Sequence, residues 1–198
     1  MAKHNYGGHS WRFIQQLSIG LFSGLAYLHE NDIIHLDIKP ENILVRRNAP
    51  PSELSWSDFC ICDLGLCEEG QGYGEPIVPD EVRGTPGFIA PELCTDPGCY
   101  DGRAADVFSA GITLIDVLYG PSAKWDNAYI LMGCDADAGA RDIWKQLEEF
   151  AGMEVGNQDG SFHGFVCSLV SEYPPSRPFA SEAVEYLRRI EVSGRRRV

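Results

Sequence analysis

Residues 33–45 read IIHLDIKPENILV. Ile33 and Ile34 form an apolar pair long enough for a short buried strand, and Ile43, Leu44 and Val45 read as a second. Between them, His35 to Asn42 is a polar loop whose path is restricted by Pro40. A carboxylate (Asp37), an ammonium (Lys39) and an amide (Asn42) thus sit in one short loop between two strands. Asp and Asn often do no more than cap turns. The same three groups can also take a proton, hold an anion and ligate a hard cation.

The flanks narrow the choice. Upstream, Ser10 is placed to N-cap a helix running to about His29. Along it Ile14, Leu17, Leu21, Leu25 and Leu28 recur at steps of three and four, which is one apolar stripe facing a core. Downstream, residues 46–58, RRNAPPSELSWSD, are polar with two prolines and read as a loop, long for a hairpin connection. Phe59 to Cys62 reads as the next strand and runs into Asp63-Leu64-Gly65, with Asp63 21 positions beyond Asn42. Residues 66–83 are acidic and glycine-rich. Gly70, Gly72 and Gly74 are spaced GxGxG with no strand-turn-helix context, so a flexible loop is expected there and not a phosphate cradle. GTPGFIAPE follows at 84–92, then DVFSAGITLIDVLYG at 106–120, apolar on nearly all faces and therefore a buried helix. Helices are also expected over 142–150, 162–170 and 181–190.

These stretches resemble the protein kinases. HLDIKPEN, residues 35–42, is similar to the catalytic loop H-R-D-x-x-x-x-N, with Leu36 where the family usually has Arg. Asp63-Leu64-Gly65 resembles the D-F-G motif, and GTPGFIAPE resembles the end of the activation segment in serine/threonine kinases. Residues 106–120 resemble the central helix of the kinase large lobe. The resemblance implies transfer of the ATP γ-phosphate to a Ser or Thr of a protein substrate, with Mg²⁺. It implies Asp37 as base, Lys39 on the phosphate, Asn42 and Asp63 on the metal, and Thr85 bonded to Asp37 and Lys39. Ile43, Leu44 and Val45 would form the floor of an adenine site. Asp106 would accept backbone hydrogen bonds from the catalytic loop, and Glu92 would pair with Arg177. Lys39 and Thr85 together favour serine/threonine over tyrosine specificity, and Glu41 suggests acceptor sites with basic flanks.

The resemblance spans nearly the whole chain but only the helical large lobe. The expectation is a mainly α fold with a few short β-strands, the large lobe of the kinase-like fold with its small β-rich lobe absent. Residues 1–10 would be a remnant, 11–190 the lobe (catalytic loop 35–42, metal motif and activation segment 63–92) and 191–198 a basic tail. Neither a glycine-rich loop over the phosphates nor a strand lysine of the V-A-I-K kind is found; the lysines are Lys3, Lys39, Lys124 and Lys145. A catalytically inactive pseudokinase, or a kinase fragment serving as an interaction module, is the alternative.

Composition excludes other classes. Hydrophobic residues make up 44% and charged residues 23%, which suits a packed core and not a disordered chain. A formal net charge of −13 argues against nucleic acid or an anionic membrane as the main partner. No apolar run nears the roughly 18 residues of a membrane span, and MAKHNYGGHS lacks the apolar core of a signal peptide. An intracellular, cytoplasmic or nuclear protein is expected. None of the seven cysteines forms a CxxC pair, so reduced thiols are expected in place of zinc or disulfides.

Overall fold

The computed structural model describes residues 9–70, 77–78, 82–95, 101–119, 162–171 and 173–190. The first helix, α1, runs Trp11–Glu30. The Ser10 hydroxyl accepts a hydrogen bond from Phe13 N at 3.3 Å, satisfying one of the amides that a helix start leaves open. Ile14, Leu17, Leu21, Leu25 and Leu28 are all buried, as the stripe required.

Among the described residues, four short strands form two separate antiparallel ladders. Strand β1 (Ile33–Ile34) pairs with β4 (Glu68–Glu69), and β2 (Ile43–Val45) pairs with β3 (Phe59–Ile61). The two strands that bracket the catalytic loop therefore do not pair with each other. Each is tied to the segment around Asp63-Leu64-Gly65, one on either side of it. The expected strand over Phe59 to Cys62 stops at Ile61, and Glu68–Glu69 is strand where sequence suggested loop. Two adjacent carboxylates are poor strand formers; here the Arg83 guanidinium lies 3.0 Å from the Glu68 carboxylate.

The long β2–β3 connection is a structured cover on α1. It makes 3₁₀ turns at Pro51–Glu53 and Trp56–Asp58. Arg12 donates to Leu54 O at 2.7 Å, and Trp56 N donates to the Gln16 side chain at 3.0 Å. Leu54 and Phe59 close a small cluster with Leu17.

The remaining described helices are α2 (Pro91–Thr95), α3 (Gly102–Tyr119), α4 (Phe162–Leu169) and α5 (Ala180–Arg189). Helix α3 starts four residues before the expected Asp106. Val107, Phe108, Ile112, Leu114, Ile115 and Leu118 along it are buried at 2% exposure or less, which makes α3 the centre of the core. At the start of α5, Phe179 offers no capping oxygen, and the Glu182 carboxylate accepts from Phe179 N at 2.8 Å instead. Its last turn is closed by Gln15 of α1, whose Nε2 donates to Leu187 O and Ile190 O. The helix expected over 142–150 lies outside the described residues, as do residues 1–8 and 191–198. No described helix is long and apolar enough to cross a membrane.

Candidate active site

The loop after β1 is shaped by one buried carboxylate. Asp106 of α3 is fully buried; its Oδ2 accepts from His35 N and its Oδ1 from Leu36 N, both at 2.8 Å. His29, at the end of α1, reaches the same Oδ2 with Nε2 at 2.9 Å. Sequence reasoning assigned Asp106 this duty but missed His29, which looks like one more residue of an amphipathic helix until the fold folds α3 across it. The clamp holds Leu36 at φ 64°, a left-handed conformation that costs a bulky residue free energy. The next residue, Asp37, is buried at 7% exposure.

Asp37, Lys39 and Thr85 meet in a closed triangle. Lys39 Nζ donates to Asp37 Oδ2 at 2.7 Å and to Thr85 Oγ1 at 2.6 Å; Thr85 Oγ1 donates to Asp37 Oδ1 at 2.6 Å. Asn42 adds Nδ2 contacts to Asp37 O at 2.8 Å and Oδ2 at 3.1 Å. Burial raises the Asp37 pKa, but the hydrogen bonds from Lys39 and Thr85, the Lys39 charge and the Asn42 bond together outweigh it and hold the carboxyl below its ordinary range. Asp37 is therefore held ionised at neutral pH.

Thr85 reaches the triangle because Gly84 precedes it. Gly84 has φ 117°, and a Cβ there would come within 2.5 Å of Leu36 O. Ser109 of α3 fixes the following turn by donating to Phe88 O at 2.6 Å. The segment ends at Glu92, buried with Arg177: Nη2 donates to Oε2 at 2.9 Å and Nη1 to Oε1. Arg177 also donates to Ser171 O and Ala104 O, and its guanidinium lies 4.9 Å from the Phe108 ring centroid.

The metal motif sits beside Asn42. Cys62 N donates to Asn42 O at 3.0 Å, which sets Asp63, the next residue, against the catalytic loop. Asp63 is exposed, with φ 64°, and its Oδ1 accepts Gly65 N at 3.3 Å. The donor set suits Mg²⁺. Asn42 spends its NH₂ on Asp37 and keeps its amide oxygen; Asp63 keeps a carboxylate oxygen open to solvent. Mg²⁺ characteristically takes one or two such ligands plus phosphate oxygens and water. No cluster of three or more His, Cys, Asp or Glu that could hold a metal occurs among the described residues.

The other expectations land unevenly. Leu64 is 56% exposed and belongs to neither apolar cluster of the described residues. Ile43 packs against the core, while Leu44 and Val45 are about half exposed at 50% and 49%. Together they leave an apolar ledge beside Asp63. The nearby Cys67 thiol is pushed up to about 11 by burial and by the Asp106 and Asp63 charges, which disfavours its thiolate at neutral pH.

Comparison with known proteins agrees with this geometry. The profile of the protein kinase domain matches residues 7–187. The human phosphorylase b kinase gamma catalytic chain, liver/testis isoform, is 30% identical over 173 residues, covering 84% of this chain and 37% of that protein. The serine/threonine-protein kinase chk-1 of Caenorhabditis elegans is 40% identical over 108 residues, 54% of this chain and 20% of its own length. Mouse calcium/calmodulin-dependent protein kinase type IV is 39% identical over 107 residues, 54% of this chain and 21% of its own. The chain thus spans little more than a third of the length of the phosphorylase kinase relatives. A clamped catalytic loop, an Asp-Lys-Thr triangle and a profile match over most of the sequence place this chain in the protein kinase domain family.

Proposed function

We propose that this chain is the large lobe of a protein serine/threonine kinase, with residues 11–190 as its body. It transfers the ATP γ-phosphate to a Ser or Thr hydroxyl of a protein. The acceptor oxygen forms a bond to the γ-phosphorus as the bond to the β–γ bridging oxygen breaks; ADP leaves, and the hydroxyl proton passes to Asp37. Lys39 stabilises charge on the transferring phosphoryl group, and Thr85 keeps the carboxylate oriented. Asn42 and Asp63 would hold Mg²⁺, which neutralises phosphate charge when bound. Leu44, with Ile43 and Val45, offers an apolar ledge to the adenine. The observation that carries this reading is the triangle of Asp37, Lys39 and Thr85, since three residues from two distant segments share three hydrogen bonds around an ionised carboxylate.

The acceptor is a protein segment with basic flanks. Glu41 is exposed beside the catalytic loop. The Asp116 carboxyl of α3 is raised, first by burial and then by the charge of Glu41, so two carboxylates share one locale. A substrate Arg or Lys would relieve that repulsion. The test of the assignment is Asp37→Asn in a version joined to a β-rich lobe from a relative. Transfer should fall by about 10²–10⁴ while the near-isosteric change leaves the fold intact; wild-type turnover would refute it.

A further inference from the structure

The residue beside the base is buried and uncharged. Leu36 is 5% exposed and belongs to one apolar cluster with Ile77 and Ile89. It can hold no phosphate. The segment from Leu66 to Arg83 contains no Ser or Thr either. Tyr73 is the one hydroxyl residue in that stretch, so a phosphorylated Ser or Thr there cannot fasten it, and Ile77 has the geometry to do so. Ile77 is 4% exposed in the middle of a polar, glycine-rich stretch. Its carbonyl accepts from Gly102 N at 2.7 Å. Its amide donates to Asp101 Oδ1 at 3.4 Å, the same oxygen that accepts Arg103 N at 3.1 Å at the start of α3. Its side chain lies over Gly70: a Cβ on that glycine would come within 2.9 Å of Ile77 Cγ1. Gly70 N in turn donates to Asp32 O at 2.6 Å. Ile77 therefore joins three things, the strand end after β4, the turn before β1 and the start of the helix whose Asp106 clamps the catalytic loop.

We propose that Ile77 is a positioning residue of the active site, an apolar latch that fastens the segment carrying Thr85 to the start of α3, so that Thr85 meets Asp37 without a phosphorylated Ser or Thr on residues 66–83. The inference rests on the kinase reading for its meaning, but its test does not. Hydrogen exchange is measured on the purified 198-residue chain, wild type and with Ile77→Ala, Ile77→Val and Ile77→Leu. Gly70 N and the Phe88 N that closes the Thr85 turn report on the segment; amides inside α1 and α5 report on the core. Ile77→Ala should speed exchange at Gly70 and Phe88 by about tenfold or more while α1 and α5 stay as they were. The volume-conserving Ile77→Leu should lie within about twofold of wild type. Should Ile77→Ala fail to fold, Ile77→Val carries the test, with an expected segment-selective acceleration of about two- to fivefold. Unchanged exchange at Phe88 and Gly70, or equal acceleration in α1 and α5, overturns the proposal, because Ile77 would then be ordinary core filling. Exchange is read whether or not the chain transfers phosphate, so an inactive enzyme leaves the latch standing, and a failed latch leaves the enzyme standing.

Discussion

Gly84 shows how little room the site leaves. Its φ of 117° and the 2.5 Å approach of a notional Cβ to Leu36 O mean that any side chain must push the two segments apart. Gly84→Ala should destabilise the chain by about 1–3 kcal/mol, measured by thermal or denaturant unfolding. It should also loosen the Thr85 bond to Asp37, seen as faster exchange at Phe88. Asp37 gives a second residue-scale expectation. Its folded pKa is lower than that of a free carboxyl, so the unfolded chain binds more protons through that range. Its stabilisation is complete above the unfolded value of about 3.9 and is lost as pH falls through the folded value. Asp37→Asn should therefore flatten the stability profile below about pH 4 and leave its slope near neutrality unchanged; an identical acid limb would contradict this. The grouping of Asp37, Lys39 and Asn42 was legible through the resemblance because the three lie within one loop. His29 was not, since nothing local distinguishes it; its partner is 77 positions away.

The elements that fix the activation segment combine polar and apolar devices. The Glu92–Arg177 pair is buried at both ends, and Arg177 also satisfies two backbone carbonyls. Arg177→Met should cost about 3–5 kcal/mol, because it leaves the Glu92 carboxylate buried without its partner; equilibrium unfolding measures this. This pair was legible in sequence, whereas strand β4 was not: Glu68-Glu69 has no β propensity of its own and is strand through pairing with Ile33-Ile34 and the contact to Arg83. Arg83, at the end of the same segment, is turned to Glu68. Phosphatase treatment of an active, lobe-joined version should accordingly leave turnover unchanged. A large loss mapping to phosphate on residues 66–83 would count against that.

At the scale of the molecule, the described structure sets the buried Asp37 carboxylate and Asn42 amide with the Lys39 ammonium, near the exposed Asp63 carboxylate and the half-exposed Leu44 and Val45. Water at the exposed members weakens their charge contacts. Residues 1–198 by themselves should bind Mg-ATP weakly and phosphorylate a generic basic protein negligibly, as calorimetry and a radiolabel assay would show; vigorous transfer would disprove this. The mainly helical fold was legible because α1 and α3 carry unambiguous apolar patterns. The pairing of strands only two or three residues long was not, since such strands are defined by their partners and not by period. The Asp106 clamp also dictates a timetable. His35 and Leu36 leave the ribosome about 70 residues ahead of the carboxylate that shapes them. At translation speeds of about 5–20 residues per second, the nascent loop waits roughly 4–14 s without its clamp. Until α3 emerges, nothing supports the left-handed turn at Leu36, and the newborn chain has every catalytic side chain but no catalytic centre.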